Sequence, residues 1–546
     1  MKAISVSVLV VLCLLEVPTH AGPTTTTDSA KPVRQKSFDP WLFTNSDPNR
    51  QVMPYVSDGK RGGLVTVRGS WLSTYQAGDY VGGILRRTTI LKPVVSGAPG
   101  KVNEKYDLYH GVLTSGKAVF GPNRDWPKIW NQSDITIGGD PEAQQVTHAN
   151  MFYLLSSTYP GSTNSIPPFG LSSSGYNGHV FWDAEVWMLP ALIVQHPAEA
   201  RGIIDYRFKR LAQAKTNAHL HGFAGAEYPW ESADTGVEVA PAYMQPERHI
   251  TADVGWAAWQ YYLWTGDKAY LVSEGWPILQ STANYWVSRA TLGADQKYHI
   301  HSVISPDEDA GIVDDDAWTN AVAQANLRAA IQAARIIGQP VDPRWAEVAS
   351  GMYLAYDAVH KIIAENNRPQ DERFVAKQAD TLLLLYPLNR PCNARLAGRM
   401  LDFYHAHVSP DGPAMTSSIE AIVAARLGRA QLSLNLFHDS YRPFVRGPWD
   451  SFSETAKSVG SGYFCTGMGG CLQSVLMGFA GLQVVSGDDA GQGIKIATDQ
   501  TAALYCDPHL PPGWSGLTVK GVCFHGQMFD ISVGMGNRVM WKKVRK

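Results

Sequence analysis

From Asp140 onward the chain keeps to one period. Segments of about 12 to 25 residues with apolar positions at helical spacing follow one another, with no strand-like alternation between them. The spacing predicts helices over residues 142–156, 184–195, 198–218, 249–264, 269–289, 317–337, 342–364, 394–407, 417–427 and 467–482, with weaker ones near 379–386 and 430–436. About twelve helices in succession fit a toroid of six inner and six outer helices. Stacked helical bundles fit the count nearly as well, so the period alone establishes a mainly α body.

The flanks read differently. From Asp39 to about Ser115 the text is glycine-rich and β-branched, as in Gly62-Gly63-Leu64-Val65-Thr66-Val67 and Tyr80-Val81-Gly82-Gly83-Ile84-Leu85. Short runs punctuated by glycine predict strands and turns, hence a short β-rich module over 39–115. The helical body then occupies 116–482, and a small β element occupies 483–546. At the N-terminus a short positive start, Met1-Lys2, precedes an apolar run from Val6 to Leu15 and the small-residue pattern Thr19-His20-Ala21. That run is shorter than the roughly 20 residues a membrane span needs. It predicts a signal peptide over 1–21, a flexible leader over 22–38, and a secreted or periplasmic protein without a membrane anchor.

The formal net charge is −2 with no run of one sign, which argues against nucleic acid and anionic membranes as partners and favours small neutral molecules or proteins. The 17 Trp and 23 Tyr suit a site that stacks on sugar rings, and suit a core equally well. Once Cys13 leaves with the signal, Cys392, Cys465, Cys471, Cys506 and Cys523 remain. Bridges Cys465–Cys471 and Cys506–Cys523 can both be drawn, and the odd count leaves a thiol over. None has CxxC spacing, so no zinc site is expected. Asn131-Gln132-Ser133 is a glycosylation sequon in a eukaryotic host.

Several motifs carry nothing. Gly111 to Lys117 nearly spells a phosphate loop, but Ala118 stands where a magnesium-holding hydroxyl belongs. The pairs His219/His221, His299/His301 and His405/His407 each lack a third ligand. The acids Asp307-Glu308-Asp309 and Asp314-Asp315-Asp316 lack calcium-loop spacing.

Splitting a glycosidic bond needs two carboxyl groups on opposite faces of one sugar ring, with aromatics and polar groups gripping the ring. Four places answer that description: Phe181-Trp182-Asp183 at a helix start; Tyr228-Pro229-Trp230-Glu231-Ser232-Ala233-Asp234-Thr235-Gly236; Ser305-Pro306-Asp307-Glu308; and Phe452-Ser453-Glu454 ahead of Thr466-Gly467-Met468-Gly469-Gly470. Asp183 also reads simply as a helix cap, and the acids near 308 as partners of a helix dipole.

These motifs, with Lys377-Gln378-Ala379-Asp380, resemble glycoside hydrolase family 65, from about Asp125 to the C-terminus. That family holds acid trehalases, several disaccharide phosphorylases and the protein-glucosylgalactosylhydroxylysine glucosidases, and the wording around Trp182 and Trp230 is most similar to the last group. The resemblance implies an (α/α)6 barrel between an N-terminal β-sandwich, here shortened, and a small C-terminal β-domain. It implies inversion, with Glu308 as general acid, Glu454 as the carboxylate that activates water, and Trp182, Asp183, Trp230, Glu231, Lys377 and Gln378 holding the glucose. Three departures stand out: the short N-terminal module, Phe452 where Trp is usual, and SPDEDAG without an aromatic after Glu308.

The expected activity is therefore release of β-glucose from an α-linked glucoside, a disaccharide or a glucosyl-galactosyl-hydroxylysine, with no metal or organic cofactor. The alternative is a disaccharide phosphorylase using inorganic phosphate. Against it, Glu420 stands where phosphorylases resemble one another in carrying His. A non-catalytic glycan-binding toroid is the third reading. Linkage, aglycone and oligomeric state are not encoded in these motifs.

Overall fold

The computed structural model describes residues 38–47, 51–66, 70–81, 84–87, 103–115, 118–121, 124–370, 373–390, 392–458, 462–486 and 491–544. The expected signal peptide and all of the leader but Phe38 lie outside the described residues.

Most predicted helices form where the period placed them, because their ends are capped. Pro141–Leu155 starts on Asp140, whose carboxylate accepts the Ala143 N–H, with Pro141 and Glu142 in the first turn. Ala317–Ile337 matches its predicted span, between the Asp316 cap and Gly338 at φ 72°. Ile250–Thr265 is buried at every residue except Gln260 and Thr265, whereas Ala394–Ala406 buries only the face formed by Ala397, Gly398, Met400, Leu401 and Tyr404. A helix buried all round lies inside the body, and a one-sided helix lies on its outside.

The departures have local causes. The segment 342–364 is helical only over Pro343–Gly351. It then makes a hairpin, Tyr356–Asp357 against Ile362–Ile363, around an Asp357 carboxylate that accepts the Val359 and His360 N–H groups. The segment 198–218 breaks at Arg210 into Pro197–Lys209 and Leu211–Leu220. The segment 379–386 shrinks to one 3-10 turn, Thr381–Leu384. A helix absent from the prediction, Trp126–Ser133, is capped by Asp125.

Two helices near the site change pitch. Asp183–Met188 is a π-turn running into Leu189–Ile193, and Cys465–Gln473 runs into the π-turn Ser474–Phe479. They lie backbone to backbone. A Cβ on Gly469 would sit 2.4 Å from the Trp187 carbonyl oxygen, and Gln473 Nε2 donates to that same oxygen at 2.6 Å. The Thr-Gly-Met-Gly-Gly run is thus what lets these helices touch.

Among the described residues, four antiparallel sheets have three or four strands each. Leu42–Asn45, Glu104–Asp107, Val112–Ser115 and Ala118–Phe120 form one. Tyr55–Ser57, Arg61–Val65, Trp71–Val81 and Ile84–Arg87 form the second. Val112–Ser115 is a hairpin strand followed by strand, which removes the near phosphate loop. Leu482–Ser486, Ala502–Cys506 and Ile494–Thr498 form the third. In the fourth, Gly516–Phe524, Gln527–Gly534 and Arg538–Val544 are joined by Ile135–Gly138 from the other end of the chain, in register Ile135↔Val519 and Ile137↔Leu517.

The core takes up much of the tryptophan: Trp126, Trp130, Trp182, Trp187, Trp286, Trp318, Trp345 and Trp449 are fully buried. Neither drawn disulfide forms. Cys465, Cys471 and Cys506 are buried thiols, which burial pushes up to about 12.

Candidate active site

Glu454 follows a fixed stretch of backbone. The strand Ser451–Phe452 pairs with Val445–Arg446, Ser453 N–H and Oγ both donate to the Phe444 carbonyl, and the Glu454 carbonyl accepts the Ala414 N–H at 2.8 Å. Phe452, where the family resemblance led to Trp, is fully buried and parallel to Phe444, and its ring lies over Gly467. At the end of this stretch the Glu454 carboxylate accepts the Tyr176 hydroxyl at 2.5 Å. Burial, reinforced by the Glu308 charge, lifts Glu454 above the ordinary carboxylate range; the Tyr176 hydrogen bond and the Lys377 ammonium oppose the rise.

Glu308 opens a 3-10 turn, Glu308–Ala310, just after the strand Val303–Ile304. Three bonds tie its loop to Lys377-Gln378. Lys377 Nζ pairs with Glu308 Oε2 at 2.6 Å, the Lys377 N–H donates to Asp307 Oδ1 at 2.7 Å, and Gln378 Nε2 donates to the Pro306 carbonyl at 2.6 Å. Four carboxyl groups buried at and beside this seam, Asp307, Glu365, Asp316 and Asp380, act on one another's charge. Burial raises all four, Asp307 to about 6. Like charges crowded together out of water favour the protonated forms.

Asp183 stands at the start of the π-turn and accepts the Thr466 hydroxyl at 2.5 Å. Burial lifts it to about 7 against that hydrogen bond, and the Glu454 and Glu185 charges add to the rise. Trp182 and Trp230 meet one another's neighbourhood through His249, at ring distances of 4.8 and 5.4 Å. His249 is itself fully buried between Asp253 (2.7 Å) and Glu247 (3.2 Å). Burial works against its charge, but the two carboxylates hold it up at about 10. Glu231 Oε1 meets His179 Nδ1 at 2.6 Å, and the next residue, Ser232, bridges to Val180.

The sequence-derived residues thus form two groups. Asp183, Glu308, Lys377 and Glu454 share one electrostatic environment; Trp182, Trp230 and Glu231 surround the His179 and His249 imidazoles. Gln378 is buried with its amide nitrogen already engaged. Tyr176, His179 and His249 were not singled out from the sequence, and Thr466 stood there only as the head of the Thr-Gly-Met-Gly-Gly run. Only Tyr176 carried a signal, the turn text Gly175-Tyr176-Asn177-Gly178, and there Tyr176 and Asn177 both take left-handed backbone, φ 51° and 54°. A bulky aromatic in that region is strained, a state that persists where the surroundings impose it.

The His-x-His pairs stay outside the site: His221 meets Glu227, His299 lies between Asp295 and Asp315, and His405 meets Glu420. Among the described residues no group of three or more His, Cys, Asp or Glu side chains could hold a metal ion.

Comparison with known proteins supplies the family. The model of the glycosyl hydrolase family 65 central catalytic domain matches residues 148–372 and 355–472. A kojibiose hydrolase of Mucilaginibacter mallensis is 41% identical over 73% of this chain and 56% of its own. A protein-glucosylgalactosylhydroxylysine glucosidase of Danio rerio is 35% identical over 78% and 65%, and a kojibiose phosphorylase of Thermoanaerobacter brockii 29% over 75% and 57%. The chain therefore spans about six tenths of the length of these curated relatives. Among solved structures, a putative kojibiose phosphorylase from the human microbiome superposes with a TM-score of 0.72, covering 93% of this chain and 96% of that one at 15% identity; it shares the fold.

Proposed function

The chain belongs to glycoside hydrolase family 65, and from that premise we propose that it is an inverting hydrolase that releases β-glucose from an α-linked glucoside. The observation that carries the reading is the pairing of two differently placed carboxyls. Glu454 is half-buried, hydrogen-bonded to Tyr176 and within the field of Glu308, while Glu308 is tied to Lys377 across the seam. In this reading Glu308 protonates the glycosidic oxygen as the bond to the anomeric carbon breaks. Glu454 takes a proton from the water that attacks the opposite face. A carboxyl about to give up a proton cannot also be the anion of an ion pair. Substrate must therefore draw Lys377 away from Glu308, and a glucose hydroxyl accepting from Lys377 would do so. Trp182, Asp183, Trp230, Glu231 and Gln378 hold the ring.

Hydrolysis is preferred to phosphorolysis because Glu420, where the resemblance places a phosphorylase histidine, is a buried carboxylate paired with His405 at 3.2 Å. The position supplies no cation for a phosphate ion. The kojibiose hydrolase and the glucosidase named among the relatives make kojibiose and glucosyl-galactosyl-hydroxylysine the first substrates to try. The same reading takes the helices as an (α/α)6 barrel, supported by the contrast between all-round-buried and one-sided helices, and takes the protein as exported.

The test is a product assay on kojibiose, nigerose, maltose, trehalose and glucosyl-galactosyl-hydroxylysine, with and without phosphate, the fresh anomer being read by proton NMR. Phosphate-independent β-glucose supports the proposal. β-Glucose 1-phosphate formed only with phosphate replaces it with phosphorolysis, and retention of ligand without turnover replaces it with binding.

A further inference from the structure

Trp230 and Glu231 sit in the segment between the helices Leu211–Leu220 and Ile250–Thr265, which contains no regular helix or named strand of its own. A loop of that length needs internal ties if two of its side chains are to grip a sugar in one pose. Its outer attachments are ordinary: Ser232 to Val180, Tyr228 N–H to Thr251 Oγ1, and Asn217 Nδ2 to the Gly236 carbonyl. Inside the loop, Glu227 meets His221 and Arg248, Gln245 donates to the Ala240 carbonyl, and a single side chain ties the backbone N–H groups of Trp230 and Glu231. The chain doubles back after Gly236, and Glu238 turns inward between the exposed Val237 and Val239. One carboxylate oxygen accepts the Trp230 N–H at 2.6 Å; the other accepts the Glu231 and Ala240 N–H groups, each at 3.0 Å. The Glu231 carbonyl accepts the Val239 N–H at 3.2 Å and closes the fold-back.

We propose that Glu238 is a positioning residue for the sugar site, its carboxylate clamping the backbone of Trp230 and Glu231 so that indole and carboxylate face the substrate together. The clamp rests on the functional reading given above, and it adds a residue that never touches substrate. A carboxylate suits the task because three N–H donors converge on it and both oxygens accept. An amide offers one accepting oxygen and turns its NH2 toward a donor. An alanine offers nothing, while the loop's outer attachments remain.

The experiment compares Glu238→Gln and Glu238→Ala with the wild-type chain in three measurements: kcat and KM on the best α-glucoside, glucose affinity from tryptophan fluorescence, and the melting temperature. The expected result is a loss of kcat/KM on the order of 10²-fold in E238A, an intermediate loss in E238Q, and weaker glucose binding in the same order. Melting should change by only a few degrees. A scaffold-only role would lower the melting temperature and leave the kinetic constants of the folded fraction and the glucose affinity intact. That outcome overturns the clamp, as does E238Q retaining wild-type kcat/KM and affinity; if E238A does not fold, E238Q decides. A wild-type chain that turns over no α-glucoside overturns the parent reading, and with it this one. A wild-type chain that turns over substrate beside unaffected variants overturns the clamp alone.

Discussion

The Tyr176 hydroxyl donates to Glu454 Oε1 at 2.5 Å across 278 positions of sequence, from a backbone held in the left-handed region. The hydrogen bond favours the ionised carboxylate and opposes the rise that burial imposes on Glu454.

Replacing Tyr176 by Phe keeps the ring against Phe169 and Phe181 and deletes the donor. Glu454 must be deprotonated to accept a proton from water, so losing a group that lowers its pKa moves the acidic limb of the kcat/KM profile to higher pH. A hydrogen bond to a charged group contributes about 1.5–3 kcal/mol, so a fall of roughly ten- to a hundredfold near the optimum is expected. A pH–rate series on Y176F checks both; an acidic limb that stays in place would contradict the assignment of Glu454 as base.

Glu308→Gln and Glu454→Gln should each lose roughly 10²- to 10⁴-fold in kcat. They should separate on α-glucosyl fluoride, whose leaving group needs no proton. E308Q recovers much of the lost rate on that substrate and E454Q does not. Equal recovery in both would exchange or dissolve the two roles.

The four buried carboxyls predict a stability trend with pH. Asp380 is held well above its ordinary value by burial and by the Asp316 and Glu365 charges. A group whose folded pKa is raised binds its proton more tightly in the folded state. Stability is then complete below the unfolded value near 4 and declines as pH climbs toward the folded one. Asp380→Asn keeps the side chain's shape and removes the titrating group. The melting temperature of D380N minus that of wild type should therefore grow between pH 4 and 8. A difference that is constant with pH would mean that Asp380 is not raised in the folded protein.

Gly469→Ala would bring a Cβ to 2.4 Å from the Trp187 carbonyl, a contact only backbone movement relieves. Overpacking of this kind costs about 1–3 kcal/mol. The shift would also loosen the bond from Thr466 to Asp183, so a lower melting temperature and a higher KM for the glucoside are both expected from calorimetry and initial rates.

What could be read from the sequence follows distance along the chain. The Ala317–Ile337 helix announces itself, since cap, period and terminal glycine are all local. The motifs carrying Glu308, Trp182 and Trp230 were legible for the same reason. The hairpin after Gly351 was not, because Tyr356, Ile362 and Ile363 satisfy a helical period as readily as a strand, and only the Asp357 turn decides between them. Tyr176 and His249 were harder to find for another reason, while Glu238 closed the motif from Pro229 with nothing to mark its role. Tyr176 meets Glu454 and His249 meets Trp182 only once the chain has folded, and nothing in the text beside them marks those partners.

The strand Ile135–Gly138 precedes the first long helix of the body, yet its partner, Gly516–Phe524, is synthesised only after every residue of the site. Until then Ile135 and Ile137, both buried in the finished protein, border an open strand edge. Folding from the N-terminus therefore cannot close ahead of synthesis. A stop placed after Gly470 and before Gly516 would release a chain with every site residue in place and an adhesive strand edge, a candidate for aggregation or proteolysis rather than for partial activity.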